Sequence, residues 1–168
     1  KKLGEPQPEG KPDHFIGMVY AITSCLVEVQ KLKRIIEQAR KSGDDQELQK
    51  WQKELDEWIG VAAELQSALP KLFNQLSERI SEDENPDAQV AELNLQYEKG
   101  TKEAKRLIRK VSELCLGGFQ QSLGRLDIFY DSWDWESDFV WNSDVKKTLS
   151  QLEKTPYVFR AGEVLEFN

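Results

Sequence analysis

Val19-Tyr20-Ala21-Ile22-Thr23-Ser24-Cys25-Leu26-Val27-Glu28-Val29, continued through Ile36 to Ala39, repeats apolar residues at helical intervals, with Gln, Lys and Glu between them. Val19, Ile22, Leu26, Val29, Ile36 and Ala39 fall on one stripe of a helix, so the segment from about Phe15 to Arg40 predicts a long amphipathic helix. Ser42-Gly43-Asp44-Asp45 follows it, supplying a glycine able to close one helix and an acidic residue able to cap the next. That punctuation predicts two antiparallel helices.

The second helix carries Leu48, Trp51, Leu55, Trp58, Ile59, Ala62, Leu65 and Leu69 on one face, and Pro70 marks its end or a kink. A third helical stretch uses Leu72, Phe73, Leu76 and Ile80 and runs into Ser81-Glu82-Asp83-Glu84-Asn85-Pro86-Asp87, a solvated loop. Ala88 to Tyr97 predicts a shorter helix, Gly100-Thr101 a break, and Ala104, Leu107, Ile108, Val111, Leu114, Cys115 and Phe119 another strong stripe, with Thr101 a candidate cap. Gly117-Gly118 is expensive there, at about 1 kcal/mol per glycine relative to alanine, and close packing against a neighbour is one reason to keep it.

Beyond that helix the pattern changes. Leu126-Asp127-Ile128-Phe129-Tyr130 reads as a short strand and Val145 to Leu152 as a short helix. Tyr157 to Arg160 and Val164 to Phe167 read as a hairpin turning on Ala161-Gly162-Glu163. The expected fold class is mainly α: a helical bundle or hairpin body over 15–125, joined to a small α/β edge over 126–168 made of a short strand and a C-terminal β-hairpin. Residues 1–14, rich in Pro, Gly and charge, read as a linker or a cut end, and no targeting segment is expected.

The 168 residues carry a formal net charge of -7, with 32% charged and 39% hydrophobic residues, which fits one folded domain and argues against a self-sufficient nucleic-acid clamp. No run of about 18 uninterrupted apolar residues occurs, so no membrane partner is expected. Cys25 and Cys115 have no C-x-x-C or Cys/His spacing for zinc and read as buried thiols, while the lone His14 lies far from the acidic stretch. No metal site is expected.

Chemistry concentrates in Asp127-Ile128-Phe129-Tyr130-Asp131-Ser132-Trp133-Asp134-Trp135-Glu136-Ser137-Asp138-Phe139-Val140-Trp141, where carboxylates alternate with indoles. Carboxylates engage a planar guanidinium through parallel hydrogen bonds, and aromatic faces attract the same cation. A guanidinium ligand such as arginine is therefore one reading. The other is that the tryptophans plug a junction while the aspartates cap turns and face water.

Leu123-Gly124-Arg125-Leu126-Asp127-Ile128-Phe129-Tyr130 through Trp135-Glu136-Ser137 resembles the arginyl-tRNA synthetase segment in which a helix ends, a short strand follows and an aromatic, acidic turn closes with Glu-Ser. Gly10-Lys11-Pro12-Asp13-His14-Phe15-Ile16-Gly17 resembles the family's segment after its first nucleotide motif, and the stretches 145–149, 155–159 and 162–167 resemble its passage to the hairpin before the second half of the active site. The likeness is best from about Thr101 onward. Roughly Gln30 to Asn85 reads as a helical insertion into the catalytic region.

The resemblance implies a ligase that activates L-arginine with ATP and magnesium and passes the arginyl group to tRNA(Arg), in the cytoplasm. Within it, Glu136 would face the guanidinium of bound arginine. Asp134 and Ser137 would shape the turn, with Trp133, Trp135 and Tyr130 packing it in place. No catalytic residue is assigned. The family's His-Ile-Gly-His and Lys-Met-Ser-Lys motifs do not occur in this sequence, and His14-Phe15-Ile16-Gly17 has the wrong order to replace the first. The piece is therefore expected to be inactive alone and without a cofactor of its own, with the rest of the synthetase chain as a partner. Lys31, Lys33, Arg34, Arg40 and Lys41 cluster toward one helix end and motivate the alternatives, a helical docking module for tRNA or a protein, or an unrelated helical adaptor.

Overall fold

A computed structural model of the chain describes residues 8, 10–83, 85–162 and 164–167. Most of the expected linker, residues 1–7 and 9, lies outside the described residues, as do Glu84 of the acidic loop and Glu163 of the hairpin turn. Among the described residues there are seven helices and one two-stranded sheet, the mainly α fold with a small β edge that the periodicity predicts.

Helix α1 (Pro12–Ser42) begins three residues earlier than the apolar stripe indicates, because Pro12 at its first turn has its φ already set for a helix and no amide hydrogen to leave unsatisfied. It ends at Gly43, where φ is 73° and the amide donates to the Ala39 carbonyl at 3.1 Å. The Asp44 carboxylate then accepts from the Glu47 amide at 3.0 Å and opens α2 (Asp45–Ala68). Leu32 and Ile36 of α1 pack with Leu55, Leu48, Trp51 and Trp58 of α2. Ile22, one end of α1 away, packs near Ala62 and Leu65, so the two helices run antiparallel.

Pro70 separates rather than kinks: α2 stops at Ala68 and α3 (Pro70–Ser81) starts on the proline. Phe73, Leu76 and Ile80 of α3 close over Ile22, making the main core cluster. Complete burial of Ile22 and Leu32 stabilises the body by about 1.5–3 kcal/mol for each side chain. By length and composition alone α1 is apolar enough to cross a membrane, although polar residues interrupt it throughout. Here its stripe is covered by α2, α3 and α5.

Helix α4 (Pro86–Glu98) starts on another proline, with the Asn85 side chain accepting from the Ala88 amide at 3.2 Å. Helix α5 (Lys102–Gly124) packs on α1. Thr101 stands at its N-cap in an extended conformation but makes no side-chain capping bond. Gly118 is buried at the crossing with α1, where a Cβ would collide with the Asp13 carboxylate and lie 2.7 Å from Asp13 Cβ. Close packing is thus the reason for the second glycine of the pair, whereas Gly117 has open space beside it.

Leu126–Tyr130 does not form the expected strand. Asp127 takes a left-handed conformation with φ at 57°, its amide donates to the Gly124 carbonyl at 3.2 Å, and the Ile128 amide donates to Leu123 at 3.0 Å. These two bonds terminate α5 and consume amides that a strand would spend on a ladder. Among the described residues no strand pairs with this stretch.

The edge continues with α6 (Glu136–Trp141) and α7 (Asp144–Leu152), followed by β1 (Val158–Ala161) and β2 (Val164–Phe167). The strands are antiparallel, with Val158 opposite Phe167 and Ala161 opposite Val164. Ala161 therefore belongs to the strand and not to the turn. Gly162, at φ 66°, provides the reversal that an L side chain would resist.

Candidate functional site

The aromatic, acidic turn is held against the helical body by α5. Lys105 and Arg109 lie one helical turn apart on that helix, and their side chains meet the indoles of the edge. The Lys105 ammonium stands 3.6 Å from the centroid of the Trp141 ring, and the Arg109 guanidinium lies 4.2 Å from Trp135 and 5.3 Å from Trp141. Arg109 Nη2 donates to Ser137 Oγ at 3.0 Å and forms an ion pair with Asp138. Its Nε–H is buried without a hydrogen-bond partner, so the polar attachment runs through Nη2.

Tyr97, from the last turn of α4, completes the junction. Its hydroxyl is 2.9 Å from Ser137 Oγ, its carbonyl accepts from the Trp141 indole N–H at 3.0 Å, and its ring meets Trp141 edge-on at 4.9 Å. The break between α4 and α5 is tight because Gly100, at φ 73°, passes close to this group. A Cβ there would lie 3.3 Å from Trp141 Cδ1 and 3.0 Å from Lys105 Cε.

Glu136 is the first residue of α6, between Trp135 and Ser137, both of which Arg109 contacts. It is exposed, and among the described residues it has no hydrogen-bond or ion-pair partner. Ser137 Oγ is bonded to the Tyr97 hydroxyl and accepts from Arg109. Asp134 accepts from the Ser132 hydroxyl at 3.3 Å within the turn. Of the three aromatic residues expected to pack the turn, Trp135 lies against the Arg109 guanidinium. Tyr130 and Trp133 instead meet each other at 5.1 Å and stay exposed.

The guanidinium that meets the aromatic and acidic groups of this turn is the chain's own Arg109. Arg109, Lys105 and Tyr97 were not among the expected site residues. The available signal was the pair of cations four apart on α5, off its apolar stripe. Among the described residues no three of His, Cys, Asp and Glu converge as a metal-holding group. Burial pushes both thiols up: Cys25 is fully enclosed, with its Sγ 3.7 Å from the Trp58 carbonyl, and Cys115 is half-buried.

The sequence aligns with arginine–tRNA ligases along nearly its whole length. It is 35% identical over 163 residues to that of Saccharolobus solfataricus, covering 94% of this chain, and 32% identical over 165 residues to that of Sulfolobus acidocaldarius, covering 98%. The ligase of Ignicoccus hospitalis is 37% identical over 166 residues, covering 98%. Over this segment the chain belongs to the arginyl-tRNA synthetase family. It spans about a quarter of the length of these curated relatives, 25%, 26% and 24% respectively. No protein-family model and no solved structure matches the chain. Because the alignments cover up to 98% of this chain, the helices between Gln30 and Asn85 lie largely inside the region shared with these relatives.

Proposed function

We propose that this chain is part of an arginine–tRNA ligase that uses ATP to attach L-arginine to tRNA(Arg), and that it supplies part of the wall facing the amino acid. The observation that carries the reading is Glu136: a carboxylate without a partner among the described residues, at the surface of a turn whose adjacent residues are pinned to α5. A carboxylate so placed offers two oxygens to the planar guanidinium of a ligand. The body over 15–125 acts as the base on which this edge over 126–168 is mounted, and as a helical insertion into the catalytic region.

Adenylate formation depends mainly on positioning and on charge stabilisation of phosphates. ATP and its magnesium would be held elsewhere in the synthetase, since the His-Ile-Gly-His and Lys-Met-Ser-Lys sequences are absent here. The segment alone is therefore inactive, and its partners are the rest of the synthetase chain, L-arginine and tRNA(Arg), in the cytoplasm, with no membrane. The docking-module alternative draws less support, because the relatives that align along nearly the whole chain are arginine–tRNA ligases.

The test uses the full-length ligase carrying this segment. Glu136→Gln should raise the arginine KM far more than the ATP KM, as a charge-assisted hydrogen bond contributes about 1.5–3 kcal/mol. Equal effects on the two substrates would make Glu136 a structural residue. Arginine-dependent ATP–pyrophosphate exchange by the segment alone would refute its inactivity.

A further inference from the structure

We infer that Arg109 is a positioning residue for Glu136, and that Asp138 keeps Arg109 from occupying Glu136 itself. The inference rests on the reading of Glu136 as the arginine-facing carboxylate. Glu136 has no bond of its own to set its direction, so the backbone on either side must do it. One planar guanidinium holds both sides: the Trp135 ring at 4.2 Å, the Ser137 hydroxyl at 3.0 Å, and the Asp138 carboxylate. The guanidinium cannot bend, so three contacts to it fix three residues relative to one another.

Helix α6 needs such a holder. It has only six residues, and its N-cap, Trp135, makes no side-chain capping bond. So short a helix does not persist by its own hydrogen bonds. Arg109 projects from α5, a helix of 23 residues packed on α1, and so transmits the position of the body to the turn.

The charge arrangement has a second effect. An arginine beside an unpaired carboxylate would normally neutralise it, and here Arg109 is bound by Asp138 instead. Glu136 therefore stays available to a guanidinium from outside. Asp138 acts as the internal counter-ion that prevents self-occupation of the site.

The experiment is steady-state kinetics of the full-length ligase with Arg109→Met, Arg109→Lys, Asp138→Asn and Glu136→Gln, measuring the arginine and ATP KM separately. KM does not depend on the fraction of enzyme that is folded, so partial unfolding does not imitate the result. Arg109→Met should raise the arginine KM about tenfold or more with the ATP KM unchanged, because misplacement of a binding group by an ångström is that costly. Arg109→Lys should recover part of the loss, keeping the charge without the planar fork. Adding Glu136→Gln to Arg109→Met should cost little more than either change alone.

An arginine KM that stays at the wild-type value in Arg109→Met, while Glu136→Gln raises it, would overturn this inference and leave the reading of Glu136 standing. No selective effect of Glu136→Gln would overturn the reading beneath it. Should Arg109→Met fail to fold, Asp138→Asn decides: a selective rise in the arginine KM supports the inference and an unchanged value overturns it.

Discussion

Arg109 and Asp138 form an ion pair that ties α5 to α6, with the Arg109 side chain 18% exposed and that of Asp138 47% exposed. Half of the pair thus remains in contact with water, which screens it well below the worth of a buried pair. A double-mutant cycle of Arg109→Ala and Asp138→Ala, read by thermal unfolding, should give a coupling energy of about 1 kcal/mol. Arg109→Ala alone should cost more than Asp138→Ala alone, since it also removes stacking on Trp135 and the bond to Ser137.

Gly117 and Gly118 look equivalent in sequence and should behave oppositely. Alanine at Gly117 meets nothing within 4 Å, so Gly117→Ala should stabilise the protein by about 0.5–1 kcal/mol through helix propensity. Alanine at Gly118 would overlap the Asp13 carboxylate and force α1 and α5 apart, at a cost of about 1–3 kcal/mol. Urea unfolding of the two variants checks both signs at once.

The helical body was legible because its signals agree. The stripe from Val19 to Ala39, Gly43 and Asp44 each point to the same αα-hairpin, and Ile22, Ile36 and Ala39 are buried where that stripe places them. The stretch Leu126–Tyr130 misleads because alternation reports two faces, whereas a strand also needs a neighbour to receive its amides. Without one among the described residues, Asp127 and Ile128 close the end of α5. The proposal for Glu136 rests on local order in the chain, the Glu-Ser turn that opens α6. Arg109 was not legible in that way, since the contact that matters crosses from one element to another, and periodicity places a charged residue opposite the stripe in water.

Acid should weaken the junction of α1 and α5 through Asp13. The hydrogen bond from Lys11, at 2.6 Å, holds the Asp13 carboxyl below its ordinary value of 3.8, with the charges of Lys11 and His14 adding to it and burial opposing. A carboxyl whose folded pKa is depressed stabilises the fold fully above the unfolded value and ceases to as pH falls through the folded one. Its contribution is therefore present above about pH 4 and disappears below it. Asp13→Asn, nearly the same shape against Gly118, should flatten the acid limb of stability in this window and leave the profile near neutrality unchanged in slope. An acid limb as steep as that of the parent would assign the effect to other carboxyls.

Cys25 and Cys115 should separate in a thiol-labelling time course. Burial raises both thiols above the ordinary value of 9.0, so neither is a thiolate at neutral pH, and Cys115 is pushed further by the negative charge of Asp13. Access then decides the order. Cys25 is 1% exposed beneath Trp58, and its labelling requires α1 and α2 to open, whereas half-buried Cys115 needs only a local displacement at the surface of α5. At neutral pH, Cys115 should react first and Cys25 only at the rate of global opening, which denaturant accelerates. Asp13→Asn removes the repelling charge and should speed labelling of Cys115 without changing that of Cys25. Equal labelling rates for the two thiols in native buffer would mean that the hairpin of α1 and α2 opens independently of the rest of the body.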